Sequence, residues 1–387
     1  MGTLSCCMLF RRFFVANNHD FDLTYVTVDS LSEGVGSSQI VPLMKLLGKA
    51  GLSISLISFE KDKTPTFIED ELKAANVSWN RREFKSTGAI SGLGRLIEIA
   101  RVIPNTRLIH ARSDIPAVAA SLSKRAPILW DVRSLWAEQK AFIEPAPLKK
   151  KILRMYGGLE SIASFSASAM STLTNAVIPV LEEKHKVVPK LRIVVPTAVN
   201  LEIFRFNHKM TSPYKGLYSG TYNNYYDLQL SRLFIEELQK LVSVEIHWAR
   251  PKESPSATLN AGETSIFAAT QIEMASIVGS YNFGISICKL NAGPSLKAAM
   301  PTKIAEFLAC GRPVVVNKGL GDFDQYLSEF NAGVILNGSK ADTKVKAQEL
   351  LDLLSDPETP HRCRALAEKY FDIAEGAKKY LDLYDKM

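Results

Sequence analysis

The 387-residue chain is 46% hydrophobic and 22% charged, an ordinary globular composition at a length that exceeds one comfortable hydrophobic core. Disordered, fibrous and disulfide-framework proteins are therefore disfavoured. Lysine and arginine number 47 against 40 acidic residues, a net charge of +7. This excess permits an anionic ligand or membrane surface and does not indicate a nucleic-acid partner.

The cysteines and the first residues of the chain indicate a protein of a reducing compartment. The five cysteines form no Cys-x-x-Cys pair and have no histidine at ligand spacing, so we predict neither a disulfide framework nor a metal site. Residues 1–21 resemble a signal peptide only weakly, because Arg11 and Arg12 interrupt the apolar run; we interpret them as a frayed or mis-assigned start. No apolar run reaches the ~18 residues of a spanning helix. We expect a cytoplasmic protein that meets any membrane from its inner face.

Strand and helix patterns alternate from residue 22 onward. The first series has β-rich segments at 23–28, 52–59, 107–110, 128–132 and 191–195. Helical spacing occupies 40–47 and 115–124, and one long helix is predicted from about Leu148 to Ala169. Such alternation predicts a parallel sheet covered on both faces.

A second series follows a break in periodicity. Its predicted strands are 216–220, 242–248, 264–268, 283–288, 313–317 and 333–336. We therefore predict an α/β protein of two Rossmann-like, doubly wound domains, 22–204 and 205–360. Residues 361–387 carry a helical apolar stripe that we expect to pack back across the two lobes.

Loops that follow strands carry the candidate site residues, because doubly wound sheets bind ligands at the carboxyl ends of their strands. Gly34 and Gly36 lie between the first strand and first helix, where they form either a plain turn or a seat for a phosphate. His110 ends an apolar strand and is either a structural histidine or a cleft residue. Arg112 is close behind it in the same loop.

Asp131 and Arg133 place an acid and a base at the end of a further strand. A salt-bridged loop anchor and a site that binds a substrate hydroxyl or phosphate are both consistent with this pattern. With Arg112, they are candidate substrate-binding residues.

The segment Pro301-Thr302-Lys303 opens a helix that Gly311 ends. Lys303 in the first turn opposes the helix dipole, and this position becomes favourable when an anion binds there. Glu306 lies on the same face, placed to accept hydrogen bonds from ligand hydroxyls. The alternative is an exposed Lys–Glu pair of little energetic value.

Three smaller features join these candidates. Gly220 and Thr221 follow the first strand of the second series, and Arg250 follows its second strand. Ile272 lies in a helix start whose backbone could meet a base ring. Separately, Lys149, Lys150, Lys151 and Arg154 combine with apolar neighbours in a pattern suited to an anionic membrane face or to a solvated helix start.

These segments in this order resemble the retaining family 4 glycosyltransferases of the two-lobed GT-B architecture. The most specific match is Pro301-Thr-Lys-Ile-Ala-Glu-Phe-Leu-Ala-Cys-Gly-Arg-Pro-Val-Val315, which is similar to the Pro-x-Lys-x-x-Glu-x-x-Ala-x-Gly-x-Pro-Val signature around the nucleotide-sugar. Residues 33–39, 57–60 and 195–204 also resemble family segments, so that the likeness extends from Leu23 to the end of the chain.

The resemblance implies two lobes facing a cleft and a role for each matching residue. Glu306 would hold the ribose hydroxyls, Lys303 and the start of its helix would neutralise the diphosphate, and Gly34 and Gly36 would approach the phosphates. His110 would contact the donor sugar. Pro301, Thr302, Gly220, Thr221, Arg250 and Ile272 complete the expected donor site, and His110, Lys303 and Glu306 are the catalytic candidates.

The reaction implied is metal-independent transfer of a hexosyl or related group with retention from a nucleotide-diphosphate-sugar, the co-substrate, with no cofactor. The acceptor would be a saccharide or a lipid-linked glycan of cell-envelope synthesis. Two departures matter: Ala298 stands where the family usually has a first glutamate, and Thr221, Tyr222 and Asn223 stand where it commonly has Arg and Lys. A nucleotide-sugar epimerase and a non-catalytic nucleotide-sugar-binding protein remain as alternatives.

Overall fold

A computed structural model describes residues 19–32, 34–61, 66–86, 88–219, 223–249, 263–267 and 270–387. Two parallel β-sheets organise this part of the chain, each with helices between its strands. The strands are β1 (Phe21–Val26), β2 (Ile54–Glu60), β3 (Val77–Glu83), β4 (Thr106–Arg112), β5 (Ile128–Val132), β6 (Ala169–Thr172), β7 (Leu191–Val194), β8 (Tyr214–Ser219), β9 (Val244–Ala249), β10 (Glu263–Ile266), β11 (Phe283–Ser286), β12 (Val314–Asn317) and β13 (Gly333–Leu336).

The helices separate these strands in the way the alternating pattern predicts. They are α1 (Val41–Lys49), α2 (Thr66–Ala74), α3 (Ala89–Val102), α4 (Asp114–Ser123), α5 (Trp136–Ile143), α6 (Pro147–Met155), α7 (Gly157–Ser166), α8 (Ile178–Lys184), α9 (Leu228–Gln239), α10 (Gln271–Gly279), α11 (Pro294–Lys297), α12 (Thr302–Ala309), α13 (Phe323–Phe330), α14 (Lys340–Ser355), α15 (Thr359–Tyr370) and α16 (Ile373–Tyr384).

Strand order confirms the predicted doubly wound class. Among the described residues, seven strands form the first sheet in the order β3-β2-β1-β4-β5-β6-β7, and six form the second in the order β10-β9-β8-β11-β12-β13. The central pairs run parallel, with His110 of β4 beside Tyr25 of β1 and Ile285 of β11 beside Tyr218 of β8. Order therefore reverses beside β1 and beside β8, the positions at which such sheets bind ligands.

Several strands of the two sheets are buried along their whole length. All seven residues of β2 are buried, as are all four of β11 and of β12, because helices cover both faces of a parallel sheet. Helix starts use capping side chains: Asp227 accepts from the Leu230 N–H at α9, and Thr270 and Glu273 form a capping box at α10.

Two sequence predictions need correction. The single helix predicted from Leu148 to Ala169 is two helices, α6 and α7, and strand β6 begins at Ala169. The pair Gly157-Gly158, of low helix propensity, lies at the break. The predicted turn at 32–38 is helical from Gly34, with a π-helical turn at Gly36–Ile40 that leads into α1.

The chain divides into two compact units, each described by itself below. The first unit comprises the residues up to Asp131, Ser166–Ala169 and Leu381–Met387; the second comprises Val132–Phe165 and Met170–Tyr380. Within the described residues, no helix is long and apolar enough to cross a membrane.

Candidate functional site

Helix α12 of the second unit carries the two strongest candidates, Lys303 and Glu306. Pro301 is the extended residue before the helix and Thr302 is its first residue. Ile304, Phe307 and Leu308 are fully buried and hold α12 against the sheet. A Cβ at Gly284 of β11 would lie 2.2 Å from the Phe307 ring, so this glycine permits the close approach.

The Lys303 ammonium lies at the carboxyl ends of the central strands. Its Nζ is 4.1 Å from the ring centre of Tyr226 and 5.3 Å from that of Tyr218, the next-to-last residue of β8. Within the described part of the chain, this nitrogen has no hydrogen-bond acceptor. Burial lowers the pKa of Lys303 to about 8, against the opposing effects of Cys288 and Glu306. A buried, unpaired ammonium of this kind is suited to an anionic ligand.

Glu306 is one turn further along the same helix and is partly buried. Burial raises the pKa of its carboxyl to about 7, although Lys303 opposes this rise. The two side chains make no ion pair with each other among the described residues, so the interpretation as an exposed Lys–Glu pair is wrong. Burial therefore brings the pKa values of both groups towards neutral pH.

The two tyrosines beside Lys303, Tyr218 and Tyr226, were missed by sequence reasoning. Tyr226 pairs with Cys288 across an isolated bridge, and the Cys288 N–H donates to the Asn317 side chain at 2.7 Å. Tyr225 shares a 3.2 Å hydrogen bond with Ser295. The only available signal was the repeated tyrosine after β8, which the sequence leaves indistinguishable from a surface loop.

The structure describes only some of the other residues predicted to lie in the donor site. Ile272 is 72% exposed in the first turn of α10. Ala298, at the position of the missing glutamate, is 2% exposed. Gly220, Thr221, Tyr222 and Arg250 lie outside the described residues. No group of three or more His, Cys, Asp or Glu side chains among the described residues could hold a metal ion.

His110, Arg112 and Asp131 come together in the first unit. His110 is fully buried; its Nδ1 is 2.6 Å from the Tyr384 hydroxyl and its Nε2 is 3.3 Å from Asp131 Oδ2. The Tyr25 ring lies 4.5 Å from the imidazole, centre to centre. His110 is thus packed and paired within its own unit, and its contact with a donor sugar stays a prediction.

Arg112 shares the same carboxylate. Its Nη1 lies 3.7 Å from Asp131 Oδ2, and its Nε donates to Asp29 at 3.0 Å. Burial by itself would lower the pKa of Arg112, but Tyr25, Asp29 and Asp131 outweigh this effect and raise the pKa above its usual value. Asp29 is 41% exposed at its side chain, whereas Asp131 is buried. Arg133 lies in the second unit, directly after the end of β5.

Glu60, at the carboxyl end of β2, holds the loop after β1. Its carboxylate accepts hydrogen bonds from the Ser30 hydroxyl at 2.5 Å, the Leu31 N–H at 3.0 Å and the Ser58 hydroxyl at 2.6 Å. Gly36 packs on this loop so closely that a Cβ would lie 1.9 Å from the Ser30 carbonyl oxygen. Close packing therefore accounts for Gly36 by itself. Gly34, with φ +35° and open space at its Cβ position, is free of such contact.

Two parallel α/β sheets of this strand order define the fold of the GT-B glycosyltransferases, and comparison with solved structures confirms it. This chain is similar to sucrose-phosphate synthase from Thermosynechococcus elongatus, with a TM-score of 0.70 and 13% identity. The match covers 94% of this chain and 98% of the synthase chain. HepE from Anabaena, solved with UDP and glucose, is similar over 95% and 100%, with a TM-score of 0.65 and 11% identity.

A glycosyltransferase from Rickettsia africae has the highest identity of these three, 16%, over 94% of this chain and 97% of its own, with a TM-score of 0.65. No protein-family model and no curated protein sequence matches the chain. At these identities the comparisons establish the fold.

Proposed function

We propose that this protein is a glycosyltransferase that takes its sugar from a nucleotide-diphosphate-sugar. The observation that carries the proposal is Lys303, a buried ammonium without a hydrogen-bond acceptor in the described structure, located on a helix start at the carboxyl ends of β8 and β11. Supporting it, HepE was solved with UDP-glucose and a trehalose-6-phosphate protein from E. coli with UDP-2-fluoro glucose. UDP-sugars are therefore the first donors to test.

The chemistry proposed for these residues is stabilisation of the leaving group. As the bond from the anomeric carbon to the diphosphate breaks, negative charge grows on the diphosphate while the sugar becomes oxocarbenium-like. Lys303 and the N–H groups at the start of α12 would compensate that charge, so that no metal ion is required. Glu306 would accept hydrogen bonds from the ribose hydroxyls and fix the donor.

We propose transfer with retention and without a protein nucleophile. The acceptor hydroxyl attacks the anomeric carbon on the face from which the diphosphate leaves, and a phosphate oxygen takes the hydroxyl proton. Arg112, Asp131 and Arg133 would contribute to acceptor binding, and Asp29 is the most exposed carboxylate of the group that contains Arg112 and Asp131. The acceptor class that we propose is a saccharide or lipid-linked glycan of envelope synthesis.

The test is release of UDP from UDP-sugars by the purified chain, measured with a panel of saccharide acceptors. We expect Lys303→Ala and Glu306→Ala each to reduce turnover at least about a hundredfold, because each removes a partner of a buried charge or hydroxyl. Lys340→Ala, on the exposed start of α14, is the matched control and should retain full activity. Wild-type rates in both site variants would refute the proposal.

Ala298 favours one alternative, a protein that binds a nucleotide-sugar without transferring it. The side chain at this position is small, apolar and buried, and so offers no hydrogen bond to a sugar. Calorimetric binding of UDP-glucose without turnover over the whole acceptor panel would support that alternative. Conversion of the donor sugar in the absence of any acceptor would instead identify an epimerase.

A further inference from the structure

Helix α6 is unusual because none of its nine residues is buried. Leu148 is 72% exposed, Met155 73% and Ile152 46%. Large apolar side chains at the surface are ordinary when scattered singly, whereas three on one short helix form a continuous apolar stripe.

The three apolar residues fall on one face. At 3.6 residues per turn, Leu148, Ile152 and Met155 lie within an arc of about 60°. Lys151 lies about 40° to one side of this arc, with Arg154 beyond it, and Lys149 lies about 60° to the other side. The apolar stripe is therefore bordered by cations on both sides.

The cations beside the stripe differ from other basic residues in their pairing. Among the described residues, Lys149, Lys151 and Arg154 take part in no ion pair, and α6 itself contains no acidic residue. Lys184 of the same unit differs, because it is paired with both Glu138 and Glu160. Lys150 is partly buried on the far side of the helix, so the basic group predicted from sequence does not act as one surface.

Aromatic side chains lie at the end of the stripe. Tyr156 directly follows α6, and its ring meets the edge of the Trp136 ring at 5.9 Å, centre to centre. Trp136 is 41% exposed. Tryptophan and tyrosine with one apolar and one wet side are enriched where proteins meet the headgroup layer of a bilayer.

We propose that α6 lies on an anionic phospholipid bilayer. Leu148, Ile152 and Met155 enter the boundary between headgroups and acyl chains, while Lys149, Lys151 and Arg154 contact the lipid phosphates. The charges favour an anionic surface as the binding partner of this stripe. A second copy of the same helix is disfavoured, because like charges would meet across the contact. The inference does not depend on glycosyl transfer.

Sedimentation of the full-length protein with vesicles tests the inference. Vesicles of phosphatidylcholine alone are compared with vesicles that also contain phosphatidylglycerol. We expect binding only to the anionic vesicles, weakened by added salt. Lys149→Ser with Lys151→Ser should weaken it about thirtyfold, and Leu148→Ser with Met155→Ser about tenfold or more. Neither pair removes a buried contact, so both variants should fold.

The matched control is α14, which also presents an exposed apolar residue beside lysine. Val345 is 57% exposed and Lys344 is exposed next to it. Val345→Ser with Lys344→Ser should leave vesicle binding unchanged. A blue shift of tryptophan emission on anionic vesicles, lost in Trp136→Phe, would support the placement of α6.

Four results would overturn the inference: no binding to anionic vesicles, equal binding to neutral ones, equal loss in the α14 control, or a dimer that Leu148→Ser with Met155→Ser dissociates. The same measurements on Lys303→Ala separate this inference from the proposed function, because that variant should lose turnover and keep vesicle binding.

Discussion

Lys303 Nζ lies 4.1 Å from the centre of the Tyr226 ring, so the ammonium is held by an aromatic face in place of an anion. A cation over a ring is stabilised by the ring quadrupole, by about 0.5 to 2 kcal/mol. That is less than the cost of burying an ammonium, and the lowered pKa reports the difference.

Stability of the Lys303→Met variant should depend on pH in a defined way. Between about pH 8 and 10.5 the unfolded chain keeps a proton on Lys303 that the folded chain releases, so the wild-type free energy of unfolding rises with pH there. Below that window the buried charge destabilises the fold. We therefore expect Lys303→Met to be more stable than wild type at pH 7, by roughly 1 to 3 kcal/mol, and the gain to shrink towards pH 10.

Urea unfolding of both proteins at the two pH values measures this effect. Lys340→Met, at the exposed start of α14, should show a difference from wild type that does not change with pH. A Lys303→Met variant that is less stable than wild type at pH 7 would contradict the burial argument.

The Glu306 carboxyl should change stability with pH in the opposite direction to Lys303, and over a lower pH range. Its pKa is raised from 4.5 to about 7, so the folded chain holds a proton that the unfolded chain has released, and stability is lost as pH rises through this range. Glu306→Gln cannot ionise. Between pH 4.5 and 7, the free energy of unfolding of this variant should therefore fall less than that of wild type, as measured by urea unfolding. The same pH profile in both proteins would be inconsistent with a buried carboxyl.

The proposed contact between Glu306 and the ribose predicts a coupling that calorimetry can measure. Wild type should bind UDP about ten- to a hundredfold more tightly than 2′-deoxy-UDP, because a hydrogen bond to a charged group contributes about 1.5 to 3 kcal/mol. Glu306→Ala should bind the two nucleotides equally. If Glu306→Ala still binds UDP more tightly than 2′-deoxy-UDP, another residue holds the 2′-hydroxyl.

Tyr384→Phe should destabilise the first unit. The hydroxyl of Tyr384 is 2.6 Å from His110 Nδ1 inside a buried group, and its loss leaves a polar ring atom without that partner. We expect a decrease of about 1 to 3 kcal/mol in the free energy of unfolding, from urea denaturation. Tyr370→Phe removes an exposed hydrogen bond to Glu329 and should cost less than about 0.5 kcal/mol. Equal effects of the two would argue against the buried network.

Glu60→Gln should loosen the loop after β1. The amide cannot accept hydrogen bonds at both side-chain positions, so at least one of the Ser30, Leu31 and Ser58 donors loses its acceptor. We expect faster hydrogen exchange at the Leu31 amide and about 1 to 3 kcal/mol lower stability. Glu83→Gln, at an exposed position of β3, should change neither quantity.

The sequence by itself determined the fold class and the position of the main candidates. Largely apolar strand segments that alternate with helical spacing predict a parallel sheet covered on both faces, and residues at the carboxyl ends of parallel strands lie at one edge of the sheet. This argument predicts the position of His110, whereas Lys303 is predicted from its place in the first turn of a helix. Turn chemistry was a weaker guide, because the Gly/Ser segment at 32–38 proved to be helical and a glycine pair divided the helix predicted over 148–169.

Only the tertiary structure decided what surrounds each candidate. The partners of His110 lie 21 and 274 residues away in sequence, at Asp131 and Tyr384, and no local spacing connects them. Likewise, the exposure of Lys303 depends on Tyr218 and Tyr226 from a distant strand and loop. Burial and pairing are properties of chain segments brought together by folding, and they set the ionisation that makes Lys303 and Glu306 candidates for chemistry. Periodicity in the sequence specifies which face of an element is buried, whereas the neighbours on that face are decided by packing.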